Sequence, residues 1–327
     1  MRILIILPNW LGDAVMATPA IELLAQHYKD VQFTFVGSYA SIEALKHHPL
    51  CEQAIIDETK KSSSRLLATY KLAKKLGKFS LALSFRNQIH ASLLLRFTKT
   101  VLCIARTSWH SKLLLSHTLV IKKNQHLVKQ YSKLAMINRD DYDENPPALK
   151  LYIKPKIFDK PTLGINAGAT YGSAKRWYPE RFAEVAAYYS NRYNIIIFGG
   201  AKEVEMAAEI GENLIKLGVT NYKNIAGKTD IESLCANIGG CALFITNDSG
   251  PMHVAAAYQV PTMAIFGPTK YKETSQWKNK KSSIVRKEMS CSPCMKRECP
   301  LGHHECMKKI MATEVIQEIK NLFRPLH

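Results

Sequence analysis

The chain has 327 residues, 46% of them hydrophobic, with 16 glycines and 14 prolines. That is length enough for two domains of ordinary size, and the composition excludes collagen-like and linker-dominated chains. No apolar run approaches the roughly 18 residues of a membrane-crossing helix. The apolar start ends at Pro8, too early for a secretory leader, so a buried first strand and a cytoplasmic protein are expected.

Charge is distributed unevenly. Lys and Arg number 45 against 27 Asp and Glu, a net charge of +18. Residues 59–139 hold 17 basic side chains and no acidic one, which leaves 28 basic and 27 acidic side chains on the other 246 residues. The excess therefore sits in a single block. Its one-sided field attracts polyanions: nucleic acid, anionic lipid head groups or an acidic glycolipid.

In chain order, residues 3–7 read as a strand, 14–28 as a helix, 32–36 as a strand, 42–46 as a short helix and 54–56 as a short strand. Helical periodicity over 65–76, a strand at 81–84 and a helix at 90–97 follow. Alternation of this kind predicts parallel βαβ units. The acidic run Asp140-Asp-Tyr-Asp-Glu144, followed by Asn145-Pro-Pro147 and two more prolines up to Pro161, reads as a surface boundary and interdomain connection. A second series comprises strand 162–166, helix 180–193, strand 195–198 and helices 203–217 and 231–237. Strand 242–246, helix 251–258, strand 262–266 and a final helix 313–323 complete it. The expected architecture is α/β, with two Rossmann-like domains facing each other across a cleft. The first spans residues 1–155 and the second 156–312, and the terminal segment 313–327 is a helix able to pack back on the first domain.

Ligands of open α/β sheets bind beyond the carboxyl ends of the strands, so strand-to-helix turns carry the most information. The first such turn is Pro8-Asn-Trp-Leu-Gly-Asp13, where Gly12 permits a tight turn. Asp13 falls at a helix start, where it is either a cap or a carboxylate aimed into the cleft as a general base. The second is Asn166-Ala-Gly-Ala-Thr-Tyr-Gly-Ser-Ala-Lys175-Arg-Trp177. Its small residues, the Thr170 hydroxyl and the mobile charge of Lys175 are the parts of a phosphate cradle, although it is no Walker A loop. The third, Thr246-Asn-Asp248-Ser-Gly-Pro-Met-His253, puts Pro251 at a helix start and offers the N–H groups of Ser249 and Gly250 to an anion such as a diphosphate. The fourth, Phe198-Gly-Gly-Ala-Lys-Glu203, places a carboxylate beyond a strand end, within reach of a ribose diol. Each turn also has a plain structural reading as a cap or polar loop.

Eight cysteines include a cluster, Cys291, Cys294, Cys299 and Cys306, with His303 and His304 beside it. The soft donors suffice for zinc, yet the spacing matches no single zinc module. Structural zinc, disulfides and a thiol-bearing loop without metal stay open, and the last is the expectation. Lys296, Arg297 and Arg286 lie close by in sequence.

Together the turns describe a nucleotide-diphosphate site on the second domain and a carboxylate on the first. Gly12-Asp13, Ala174-Lys-Arg-Trp177, Phe198-Gly-Gly-Ala-Lys202 and Asn247-Asp-Ser-Gly250 with Met252-His-Val-Ala-Ala-Ala257 resemble the bacterial ADP-heptose:lipopolysaccharide heptosyltransferases of glycosyltransferase family 9. The likeness runs in order and spacing from Met1 to about Pro268, and the loop ending in Trp177 is closer to the type II members than to type I. The resemblance implies the GT-B fold and inverting transfer of L-glycero-D-manno-heptose from ADP-heptose to heptosyl-Kdo-lipid A, with no cofactor and no required metal. It makes Asp13 the general base and puts Lys175 on the donor phosphates. Thr170 and Tyr171 then belong to the phosphate loop, Glu203 contacts the ribose and Thr229 lies near the adenine. Asp248, Ser249, Gly250 and His253 form the sugar–diphosphate motif.

One departure is Tyr178, which stands between Trp177 and Pro179 where relatives read Trp-Pro directly. The basic block falls in the domain to which the resemblance assigns the acceptor, which suits capture of an anionic lipid A-core acceptor and peripheral docking at the inner face of the cytoplasmic membrane. No nucleic-acid module is recognisable, and a monomer is expected. Asp141-Tyr-Asp143 lies in the expected linker, where it would be solvated. Two rival readings are a family member with a different acceptor and a non-catalytic nucleotide-sugar or polyanion-binding protein.

Overall fold

The structure, a computed structural model, describes residues 1–121, 124–137 and 145–323. The Asp141-Tyr-Asp143 stretch lies outside the described residues. The chain forms two compact units, Met1–Tyr152 and Ile153–His327.

In the first unit the order is β1 (Arg2–Ile6), α1 (Leu11–Met16), α2 (Thr18–His27), β2 (Gln32–Gly37), α3 (Tyr39–Leu45), β3 (Cys51–Ile56) and α4 (Arg65–Leu76). It continues with β4 (Leu81–Ser84), α5 (Ile89–Phe97), β5 (Cys103–Arg106), α6 (Trp109–Leu114), β6 (His117–Leu119) and α7 (Leu127–Ala135). Six parallel strands form one sheet in the order β3-β2-β1-β4-β5-β6. The central strand β1 is an uninterrupted apolar run because helices cover both faces of an all-parallel sheet. Ile3, Leu4, Ile5 and Ile6 on it are buried.

The second unit repeats the plan: β7 (Thr162–Asn166), α8 (Pro179–Tyr189), β8 (Asn194–Phe198), α9 (Val204–Lys216), β9 (Tyr222–Asn224), α10 (Ile231–Gly239) and β10 (Leu243–Asn247). After these come α11 (Gly250–Ala257), β11 (Thr262–Phe266), α12 (Tyr271–Thr274), β12 (Ser282–Arg286), α13 (Glu305–Lys308) and α14 (Ala312–Leu322). Its strands are all parallel in the order β12-β11-β10-β7-β8-β9. Read from the β9 end, this is the same doubly wound order as in the first unit. In each sheet the winding direction reverses beside the first strand, between β1 and β4 and between β7 and β10.

Residues 14–28, read from sequence as one helix, form two. The helical run opens earlier, at Leu11, and divides at Ala17. Pro19 lacks an N–H and its ring crowds the carbonyl four residues back, which is that of Val15. The Thr18 hydroxyl donates to that same oxygen at 2.7 Å, so the break leaves no orphaned acceptor. The terminal helix α14 lies against α8, β11 and β12 of its own unit, with Val315 and Ile319 fully buried. The Tyr189 hydroxyl donates to Ile316 O at 3.2 Å and ties α8 to this helix.

Candidate active site

A reversal of winding leaves room at the carboxyl ends of the two strands that flank it, and most of the sequence-flagged turns sit there. In the first unit the turn after β1 is held at three successive carbonyls. Arg86 Nε donates to Leu7 O at 2.6 Å, Ser41 Oγ to Pro8 O, and Ser38 Oγ to Asn9 O at 2.7 Å. Arg86, just beyond β4, is itself fixed by Asp57 at 2.9 Å. Burial pushes the Asp57 carboxyl up, but hydrogen bonds from the Thr59 hydroxyl and amide, together with the Arg86 guanidinium, outweigh it and hold the group below its ordinary value. The turn they brace delivers Asp13 as the third residue of α1, half-buried. Burial first, then the negative charge of Asp13, raise the Tyr131 phenol well above its ordinary value, so a neutral hydroxyl faces that carboxylate's field.

In the second unit, Lys175 Nζ lies 2.6 Å from Asp248 Oδ2, an ion pair with side chains only 13% and 5% exposed. Thr269 Oγ1 donates to the same carboxylate oxygen at 2.7 Å. The ammonium also stands 4.7 Å from the centroid of the Tyr171 ring. Trp177 anchors the end of this loop: its indole is fully buried, Nε1 donates to Ile310 O at 3.0 Å, and its amide donates to Asn247 Oδ1 at 3.1 Å. Asn166, at the end of β7, donates through Nδ2 to Gly168 O at 3.3 Å and Ser249 Oγ at 3.3 Å, joining the second and third turns. Ser249 stands at the N-cap position of α11 without a side-chain capping bond, and the helix opens at Gly250, one residue before Pro251. His253 is buried in the first turns of that helix.

Glu203 joins the cluster through the absence of a side chain. A Cβ on Gly168 would fall about 2 Å from the Glu203 carboxylate, which also accepts from Gly200 N at 2.8 Å. Thr170 is exposed on the same loop. Thr229 lies instead on the wall of a groove with Phe158, Tyr222 and Lys228. The structure thus brings Lys175, Tyr171, Glu203, Asp248 and Ser249 to one end of the second sheet. Sequence reading missed Asn166, Asn247 and Thr269 as partners, and Ser38, Ser41, Asp57 and Arg86 as braces.

The cysteine segment is not separate from this site. Tyr171 Oη donates to Met295 O at 2.7 Å, and Ala174 N donates to Arg297 O at 3.0 Å. Gly172 is bare because a Cβ there would meet Arg297 O at 2.2 Å. His304 reaches Ala174 O through Nε2 at 2.9 Å and the Tyr178 hydroxyl through Nδ1 at 3.2 Å. Tyr178, the departure noted in the sequence, is the residue before α8 and touches this segment rather than displacing Lys175. All eight cysteines are free thiols.

Comparison with known proteins places this arrangement. The family model described as "Glycosyltransferase family 9 (heptosyltransferase)" matches residues 69–305. The chain belongs to glycosyltransferase family 9. It is accordingly an enzyme with glycosyltransferase activity. A Campylobacter jejuni lipooligosaccharide heptosyltransferase 2 is 39% identical over 330 residues, covering 100% of both chains. Among solved structures, the E. coli ADP-heptose lps heptosyltransferase II superposes with a TM-score of 0.79 at 24% identity, covering 98% of each chain. The E. coli heptosyltransferase WaaC with ADP gives 0.81 at 18% identity, over 98% of this chain and 100% of that one. These likenesses establish a fold of the GT-B class, built from two Rossmann-like units. Among the described residues, no helix is long and apolar enough to cross a membrane.

Proposed function

We propose that this chain transfers L-glycero-D-manno-heptose from ADP-heptose to heptosyl-Kdo-lipid A, with inversion at the anomeric carbon. The observation that carries the reading is the buried Lys175–Asp248 pair at the carboxyl end of β10, where an ammonium is held ready beside the N-terminus of α11. A bound diphosphate would take over as the partner of Lys175, and the N–H groups of Ser249 and Gly250 at the start of α11 would add to the field on its oxygens. As the bond to the sugar breaks, negative charge grows on the departing ADP. Donors already in place stabilise it without reorganisation. Asp13 accepts the proton of the attacking acceptor hydroxyl. Glu203 receives hydrogen bonds from the ribose, and Thr170 and Tyr171 line the diphosphate. Near-full-length likeness to a lipooligosaccharide heptosyltransferase 2 supports the choice of acceptor.

The acceptor is an anionic lipid, and the exposed lysines of the first unit favour peripheral association of the enzyme with an anionic membrane surface. Mass spectrometry of transfer reactions tests the assignment, with ADP-heptose as donor, Kdo-lipid A and heptosyl-Kdo-lipid A as separate acceptors, and no divalent cation added. The heptosylated acceptor should gain one heptose and the bare one none. A gain on the bare acceptor alone would reassign the enzyme to the preceding transfer. Silence on both would overturn the reading.

A further inference from the structure

Cys291, Cys294, Cys299 and Cys306 line one small cavity of about 20 Å³, together with His303 and His304. A space of that size admits a single small occupant. Sequence spacing leaves the four thiols without a partner or purpose; the fold lines one cavity with them while forming no disulfide among them. Among the described residues no three His, Cys, Asp or Glu are drawn tightly enough together to form a ready-made metal centre. The four sulfurs line the cavity at a looser spacing than a bound cation would impose.

We propose that these four cysteines bind one thiophilic transition-metal cation, and that the cation fixes the segment on which the donor loop rests. Soft sulfur donors select such ions over magnesium or calcium, and four thiolates with no open position make a structural rather than a catalytic site. The metal therefore has no part in the transfer step. Its effect passes through the contacts already described: Met295 O holds Tyr171, Arg297 O holds Ala174, and His304 holds Ala174 and Tyr178 on either side of Lys175. The segment is also tied to the end of β11, with Ser292 Oγ donating to Gly267 O at 2.7 Å and Met295 N to Pro268 O at 2.9 Å. A cation joining residue 291 to residue 306 would turn this strap into a rigid shelf. Binding releases the protons of those cysteines still carried as thiols.

The metal site stands independently of the proposed function; its consequence for the donor loop rests on that reading. The full chain is purified under reducing conditions without chelator or added metal and its metal content is measured. Roughly one zinc or iron per chain is expected. Metal-depleted protein titrated with Co²⁺ should develop a thiolate-to-cobalt charge-transfer band that the Cys294→Ser/Cys299→Ser double variant lacks. The wild-type titration needs no variant to fold. ADP affinity, read by calorimetry, should fall by about tenfold on metal removal and return with Zn²⁺. Lys175→Ala should lose ADP affinity with its metal content unchanged, which separates a wrong donor site from a wrong metal site. Metal-free protein that gives no cobalt band would overturn the metal site. A loaded protein whose ADP affinity ignores metal removal would overturn the link to the donor loop.

Discussion

Asp13 and Lys175 carry opposite charges and, in the proposed reaction, opposite duties, so their substitutions should separate cleanly. Asp13 sits in the first turn of α1, and an aspartate carboxylate is a weak base at neutral pH, suited to a hydroxyl that gives up its proton late, as the sugar–phosphate bond breaks. Asp13→Asn keeps the shape and removes the proton acceptor. Turnover should fall by about 10²–10⁴-fold, the usual worth of general base catalysis, while ADP binding measured by calorimetry stays as in the parent. Lys175→Ala should do the reverse in the binding experiment, because the ammonium faces charge that the donor already carries in the ground state. It also leaves the Asp248 carboxylate, 5% exposed, with Thr269 as its remaining described donor. If Asp13→Asn turned over at the parental rate, the proton would have to leave by another route and the assignment of the base would fall.

At the scale of elements, what holds the Asp13 turn is a brace reaching across the sheet. Arg86 follows β4, its partner Asp57 follows β3, and their bond fixes the end of β1 between them. With side chains 6% and 11% exposed, the pair is costly to break from one side: Asp57→Asn should destabilise the first unit by about 3–5 kcal/mol at neutral pH. The acid limb gives the sign. Since the folded-state value of Asp57 lies below its ordinary 3.8, its contribution is complete above the unfolded carboxylate's range and is lost as pH falls through the folded value. Urea midpoints of the wild type should therefore drop on acidification toward that range, and those of Asp57→Asn should drop less.

None of this brace is visible in sequence, because Arg86 and Leu7 are 79 residues apart and nothing local marks them. The turns themselves were legible. Parallel central strands must be continuous apolar runs, and the glycines and prolines that follow them mark where each run stops. Strands of three residues such as β6 and β9, at sheet edges, carry too little pattern to be seen. Pro19 was visible, yet dividing the helix at Ala17 also required noticing that Thr18 could serve the carbonyl of Val15. The contact between the cysteine segment and the Lys175 loop, spanning 124 residues from Tyr171 to Met295, had no sequence signal at all.

At the scale of the whole molecule, the positive charge has a place as well as a sign. It falls on the first unit, where α4, α5 and α6 pack side by side. On α4 the exposed Lys71, Lys74 and Lys75 stand among the exposed Leu66, Leu67 and Tyr70; on α6, Lys112 lies beside Trp109 and Leu113, which are 74% and 80% exposed. A face that only kept the protein in solution would gain nothing from exposed leucine and tryptophan, whereas an interfacial surface uses both kinds of side chain: lysines attract anionic head groups, and aromatic and aliphatic groups enter the boundary beneath them. Co-sedimentation with vesicles separates the two accounts. Binding should require anionic lipid, weaken as salt shortens the screening length from ~10 Å at 0.1 M, and fall by roughly a hundredfold in Lys71→Gln/Lys74→Gln/Lys75→Gln at about 1 kcal/mol per charge. Trp109→Ser/Leu113→Ser should weaken it at every salt concentration, because apolar insertion is not screened. Both variants should raise KM for acceptor embedded in a bilayer and leave it unchanged for a water-soluble, deacylated acceptor. Equal loss on the two acceptors would place these residues in the sugar-binding site and remove the membrane from the explanation.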